Sequence, residues 1–294
     1  MSVEVASYHA SNFRSRTGPP EGPMTEQGVQ STNLPPLPPT APVIAIDLDD
    51  VLSSTNDLVI RWHNETYGSD MDLSKAYYYC YSKNPHWGST ATTRTKVKRF
   101  YGSNKLGEAL PVPGAREGVH ALRILGFCLI IVTARGMDAY ADSWSWVQRW
   151  FPECFTSMVC VGQFASNGSS KRVSKAEVCI DIGAKLLIDD SMDNALACAQ
   201  YAAPDGVAKV PPPVLLFGAY EWNKRMSQPG DERDDMVFDV RVKREGGTHF
   251  LEEDAKKADQ ALASVNAKRT CVLRASDWNE VVRYVIAAQK EGRI

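Results

Sequence analysis

Four short apolar runs, each closing on polar or small residues, organise the middle of the chain. VIAI at residues 43–46 opens into DLDD, and CLIIVTAR occupies 128–135; KLLIDDS follows at 185–191 and VLLFG at 214–218. Runs this short, rich in branched side chains and bounded by polar loops, predict buried strands. Between them apolar positions recur at helical spacing. Val119, Leu122 and Ile124 precede Gly126, a natural C-cap; Tyr140, Trp144, Val147 and Phe151 form a second set; Leu196, Cys198 and Ala199 follow the third strand. Strand alternating with helix predicts an α/β fold, a Rossmann-like parallel sheet flanked by helices.

In such sheets ligands bind outside the carboxyl ends of the strands. Polar residues stand there on the first three strands: Asp47 and Asp49, then Thr133 and Arg135, then Asp189 and Asp190.

The other segments set the expected boundaries. Residues 1–42 are rich in Pro, Ser, Thr and Gly and end in NLPPLPPTAP, which predicts a disordered tail. Its PPLPP stretch offers a polyproline ligand to an adaptor domain. Residues 56–112, too many for a simple crossover, carry aromatic and helical patterns around Trp62, Trp87 and Phe100 and predict a small helical cap inserted after the first strand. The catalytic α/β core is expected over 43–55 and 113–224. Residues 225–270 are charge-dense and read as a solvated insertion, in part helical and in part disordered. Residues 271–294 return to the core as a strand and a helix N-capped by Ser276, with Trp278, Val281, Val282 and Val285 on it.

Composition changes the picture little. Of 294 residues 44% are apolar and 23% charged, with a formal net charge of −2, which argues against a protein that grips nucleic acid or anionic lipid. No run of about eighteen apolar residues exists to span a membrane, and the first residues lack the pattern of a secretory signal. The seven cysteines show no CxxC pair, so reduced thiols in a cytoplasmic protein are expected.

Two carboxylates at i and i+2 after a buried strand suit phosphoryl transfer through an aspartyl-phosphate. One attacks phosphorus; the other protonates the leaving oxygen and then deprotonates water. A carboxylate nucleophile is repelled by phosphate, so a divalent cation is required, and hard oxygen ligands select Mg²⁺. The second carboxyl must be protonated in the first step, so neighbouring carboxylates are expected to raise its pKa.

DLDDVL at 47–52, IVTAR at 131–135, a lysine ahead of the third strand and LIDD at 187–190 resemble the four ordered motifs of the haloacid dehalogenase superfamily. HNETYG (63–68), HWG (86–88), PVPGA (111–115) and LFGAYEWNK (216–224) look, within it, like the type C 5′(3′)-deoxyribonucleotidase group and its uncharacterised relatives. The resemblance implies Asp47 as nucleophile and metal ligand, and Asp49 as acid/base with its backbone carbonyl on the metal. It implies Thr133 on the phosphoryl oxygen and Lys175, with Lys171 as competitor, neutralising the aspartate–phosphate charge. Asp189 would ligate Mg²⁺, with Asp190 a second ligand or an orienting carboxylate. Arg135 would contact phosphate or substrate, or be ion-paired.

Asp50 stands where nucleotidases often have glycine, and either faces solvent or alters Asp49. Tyr77 to Tyr79, Tyr81, Trp62 and Trp87 either stack on a flat leaving group or form the cap's core; His63 and His86 read as structural. The implied activity is Mg²⁺-dependent hydrolysis of a small phosphomonoester, nucleoside monophosphates among the candidates. Phosphotransferase and diphosphatase activities would use the same residues. The alternative from another class is a catalytically idle phospho-ligand-binding or scaffold protein of the same fold.

Overall fold

The computed structural model describes residues 34–162, 173–202, 210–227, 230–267 and 272–294. Its centre is a six-stranded sheet in the order β3-β2-β1-β4-β5-β6, with every neighbouring pair parallel. The strands are β1 (Val43–Ile46), β2 (Cys128–Gly136), β3 (Ser157–Gly162), β4 (Ala184–Asp189), β5 (Val214–Phe217) and β6 (Val272–Ala275). This is a doubly wound order, whose direction reverses between β1 and β4, and the crevice at that reversal is where such sheets bind ligands.

Alternation along the strands divides the core in two. Ile44 and Ile46 of β1, with Leu129, Ile131, Leu186, Ile188 and Leu215, face α3 (Ala115–Ile124), α4 (Tyr140–Trp150) and α9 (Trp278–Lys290). Ala45, Val132, Leu187, Val214 and Leu216 face α5 (Lys175–Asp181), α6 (Met192–Ala199) and α8 (Phe250–Asn266). Both faces are covered, as an all-parallel sheet requires.

One close approach fixes α9 against α3. A Cβ on Gly118 would collide with Cε3 of Trp278. Trp278 is only 2% exposed, and its indole N–H donates to the carbonyl of Val51 at 2.9 Å, in the loop that leaves β1. The ring has nowhere to go. Gly118→Ala is therefore expected to cost ~1–3 kcal/mol by overpacking, seen as a lower urea midpoint; an unchanged midpoint would show that α9 slides freely off α3.

Between β1 and α3 the chain forms α1 (Thr55–Tyr67), α2 (Thr90–Tyr101) and three short 3₁₀ turns. Trp62, Met71, Trp87 and Phe100 make a core of their own, to which Trp222 is added from the segment after β5. Trp62 and Trp87 are 6% and 1% exposed, so they belong to that core and offer no stacking face. His63 joins it. Its Nε2 accepts from Lys96 at 3.0 Å and its Nδ1 lies 2.6 Å from Ser69 Oγ. Burial and the Lys96 charge hold its pKa down at about 4, so it stays a neutral acceptor.

Several boundaries differ from the sequence reading. Residues 225–270, read as a solvated and partly disordered insertion, carry α7 (Phe238–Glu245) and α8 in their described part. Phe238 and Phe250 pack with Tyr78, and Ala258 and Val265 pack on the sheet. The apolar positions do recur at helical spacing, diluted by the charged face between them. Residues 34–42 of the Pro-rich segment lie on the core. Leu34 packs against it, and Arg123 Nη2 donates to the Pro35 carbonyl at 3.5 Å; a polyproline stretch is already extended and loses little freedom when fixed. Residues 1–33, Lys171 and Cys271 fall outside the described residues. The last helix is N-capped by Asp277, whose carboxylate accepts from the Glu280 amide, while the Ser276 amide donates to the Glu280 side chain. Among the described residues no helix is long and apolar enough to cross a membrane.

Candidate active site

The site is built where β1 and β4 end side by side. The Asp47 amide donates to the Ile188 carbonyl at 2.9 Å, which extends the β1–β4 pairing by one step and sets Asp47 beside Asp189. The chain then folds back at once. The amides of Leu52 and Ser53 donate to the Leu48 carbonyl and that of Asp50 to the Ser53 carbonyl, so the acidic residues of DLDD are held within one tight turn. Asp50 adopts a left-handed φ of 56° in that turn, which is why glycine suits this position.

Asp47, Asp189 and Asp190 each place one carboxylate oxygen within 4.8 Å of the other two. All three are buried, at 1% exposure or less. Lys175, the first residue of α5, reaches in from the side, with Nζ at 2.7 Å from Oδ2 of both Asp47 and Asp189. A capping box between Ser174 and Glu177 fixes the start of that helix. Asp189 also accepts from the Ser191 amide at 2.9 Å and from Asn194 Nδ2 at 3.1 Å. Asp190 accepts the indole N–H of Trp222 on Oδ2 at 2.8 Å, and its buried Oδ1 has no hydrogen-bond partner among the described residues.

Three carboxylates against one ammonium leave two negative charges in a buried cluster. Burial, with the fields of Asp189 and Asp49 added, outweighs Lys175 and lifts the Asp47 carboxyl from its ordinary 3.8 to about 7. Burial, with Asp50, Asp47 and Asp189, pushes Asp190 well above the ordinary range. An unpartnered buried oxygen and an excess of two negative charges, on hard ligands alone, fit a divalent cation of the Mg²⁺ or Ca²⁺ kind.

Asp49 stands apart from this cluster. Arg135, near the end of β2, grips its carboxylate with Nε at 3.2 and 3.1 Å and Nη2 at 2.7 Å, while Nη1 donates to Ser143 Oγ at 2.8 Å. Thr55 Oγ1 donates to the same carboxylate at 2.5 Å. Burial pushes Asp49 up, but the Arg135 charge and these hydrogen bonds outweigh it and hold the carboxyl below its ordinary value. The expectation that neighbouring carboxylates raise Asp49 is thus corrected: the dominant neighbour is a guanidinium. Arg135 takes the ion-paired of its two expected roles. Thr133 is fully buried, and its Oγ1 accepts the Arg135 amide at 3.2 Å.

Asp50 turns inward. It is 4% exposed, accepts the Asn56 amide at 3.0 Å, and receives the Tyr220 hydroxyl on its carbonyl at 2.9 Å. Tyr220 and Trp222, stacked at 4.2 Å, thus brace two of the acidic residues. The sequence reading used them only as part of a motif. Thr55, Ser143 and Asn194 escaped it altogether, because a hydroxyl or amide carries no local signal until its partner is known.

A cavity of about 1550 Å³ opens beside the cluster, at Asp49 and Arg135. Asp49, Arg135 and Trp146 line it from the sheet side, and Tyr79, Tyr81 and Tyr101 from residues 56–112.

No family model matches the chain, and no curated protein matches it. Solved structures do. A haloacid dehalogenase-like protein of unknown function from Agrobacterium tumefaciens aligns at 12% identity with TM-score 0.46, over 85% of this chain and 99% of that one. A protein described as a predicted phosphatase from Clostridium acetobutylicum aligns at 12% with TM-score 0.44, over 84% and 99%. The L-2-haloacid dehalogenase of Xanthobacter autotrophicus aligns at 12% with TM-score 0.43, over the same shares. Likenesses this distant assign no activity, and the chemistry of this chain rests on its own side chains.

Proposed function

We propose that the protein is a Mg²⁺-dependent phosphomonoesterase of the haloacid dehalogenase type, with Asp47 as nucleophile. The observation that carries this reading is the cluster of Asp47, Asp189 and Asp190 at the sheet's reversal point, bridged by Lys175, with Asp190 Oδ1 unpartnered among the described residues. Mg²⁺ held by these carboxylates and by the Asp49 carbonyl would neutralise the site and polarise the phosphoryl group.

Asp47 Oδ1 accepts the Leu48 amide at 2.7 Å and Oδ2 faces Lys175, so the nucleophile is oriented through both its oxygens. Attack on phosphorus forms an aspartyl-phosphate and expels the leaving oxygen, which takes a proton from Asp49. Water, deprotonated by Asp49, then attacks phosphorus and releases Asp47. The carboxylate form in which Arg135 holds Asp49 is the one that the second step needs. For the first, Asp49 takes up a proton from solvent, and Oδ2, which meets Arg135 through Nε alone at 3.1 Å, is the less engaged oxygen that receives it. Thr133 contributes its hydroxyl hydrogen to the phosphoryl oxygens.

Nucleoside monophosphates fit the cavity by size, and a phosphomonoester panel that includes them is the test. Phosphate release that requires Mg²⁺ supports the reading; silence across the panel, with and without Mg²⁺, contradicts it.

The cluster also couples metal, proton and stability. Between 3.8 and about 7 native Asp47 is protonated while the unfolded residue is not, so the native state binds more protons and stability falls as pH rises through this window. Metal-free protein is therefore expected to melt at lower temperature at pH 8 than at pH 5. Mg²⁺ competes with that proton, so its stabilisation should be larger at pH 8. Equal Mg²⁺-induced shifts in melting temperature at the two pH values would show that the cation binds elsewhere.

A further inference from the structure

Four tyrosines crowd the carboxylates, and their hydroxyls are used differently. That of Tyr81 donates to Asn56 Oδ1 at 2.7 Å, and that of Tyr220 to the Asp50 carbonyl. The hydroxyls of Tyr79 and Tyr101 make no hydrogen bond among the described residues, and both side chains line the cavity beside the cluster. Tyr79 lies in the negative field of Asp190, Asp47, Asp49 and Asp189, and Tyr101 in that of Asp49 and Asp50 with Arg135 beside them.

Tyr79 is also held firmly from both sides. Its neighbour Tyr78 is buried, exchanges backbone hydrogen bonds with the Asn84 amide group and donates its hydroxyl to Asp254 at 2.8 Å. On the other side the Cys80 amide donates to Ser227 Oγ at 3.3 Å. The hydroxyl is therefore presented by a fixed backbone, and the residue as a whole is 38% exposed.

A phosphoryl group on Asp47 needs donors, and the chain has few to spare. Every nitrogen of the Arg135 guanidinium is engaged with Asp49 or Ser143, Lys175 is divided between two aspartates, and the Leu48 amide is taken by Asp47 itself. We propose that Tyr79 supplies a donor beside Thr133: its hydroxyl hydrogen-bonds a non-bridging phosphoryl oxygen of the substrate from the cavity side of the site. This inference rests on the reading of the cluster as a phosphate site. Burial, with the surrounding carboxylates added, favours the neutral phenol, a donor that adds no negative charge beside the phosphate.

The test is calorimetric titration of wild type, Tyr79→Phe and Tyr81→Phe with inorganic phosphate in the presence of Mg²⁺, alongside kcat/KM for p-nitrophenyl phosphate. Tyr79→Phe should weaken phosphate binding and lower kcat/KM by about tenfold or more, as loss of a hydrogen bond to an anion does, with its melting temperature unchanged. Tyr81→Phe should keep phosphate affinity and melt earlier. Phosphate affinity equal in wild type and Tyr79→Phe overturns the inference, and intact Mg²⁺-dependent turnover in that variant would leave the proposed phosphatase standing. No phosphate binding by the wild type overturns the inference too.

Discussion

Asp47→Asn should abolish phosphomonoester turnover, lowering kcat by at least ~10⁴-fold, the scale on which removal of a covalent nucleophile is felt. The loss would be chemical rather than structural. The carboxamide that replaces the carboxylate keeps an oxygen for the Leu48 amide, which donates at 2.7 Å, and it removes a charge that burial already disfavours. Metal-free Asp47→Asn is accordingly expected to lose less stability than wild type between pH 5 and pH 8, where wild-type Asp47 is forced to ionise. Its Mg²⁺-induced stabilisation should shrink, because one of three carboxylates is gone. A variant that is inactive because it is unfolded would show a lost thermal transition in place of this pattern, and circular dichroism separates the two.

Lys175→Met carries the second large effect, this time on stability. The ammonium is buried and lies 2.7 Å from both Asp47 and Asp189. Methionine matches its length and removes the only cation that the cluster contacts among the described residues. Breaking a buried charge pair on one side costs ~3–5 kcal/mol, and here two pairs share one lysine. The cost should be full at pH 8, where the carboxyls are driven to ionise, and smaller at pH 5, where protonation relieves them. Urea titrations at the two values, with and without Mg²⁺, measure it; a midpoint equal to wild type at pH 8 would show that Lys175 is not the counter-ion. Catalysis should fall as well, since one of the two positive charges that would offset the approach of an anionic phosphate to Asp47, the lysine beside the Mg²⁺, is gone.

The sheet was legible wherever a strand is buried on both faces. β1, β2, β4 and β5 are the four apolar runs, and their neighbours in the sheet follow from the strand–helix alternation. β3 was not legible. SMVCVG lies at the sheet's edge and is only partly buried over most of its length, so its composition carries too little apolar signal. The helices α7 and α8 were foreseen only as an unplaced helical part of a solvated insertion, because a highly charged outer face hides a narrow apolar stripe from any reading by composition.

The carboxylates of the site stood at strand ends and its lysine at the start of a helix, and both could be found from local pattern. What tunes them could not. Arg135 meets Asp49 across 86 residues of sequence and Trp222 meets Asp190 across 32. The sequence reading therefore had the acid/base residue among carboxylates, where the fold has placed a guanidinium. Asp50 was open for a related reason: only the positive φ of its turn shows why it points inward and why its carbonyl is within reach of Tyr220.

Catching the phosphoryl group on the chain tests the proposed chemistry at its root. Wild-type protein is mixed with labelled p-nitrophenyl phosphate and Mg²⁺, quenched in acid within one turnover, digested and mapped by mass spectrometry. A phosphorylated peptide bearing Asp47 is expected, cleared by hydroxylamine as an acyl phosphate is, and absent from Asp47→Asn. Mg²⁺-dependent turnover with the label on another residue, or with no labelled peptide at any quench time, would contradict an aspartyl-phosphate on Asp47.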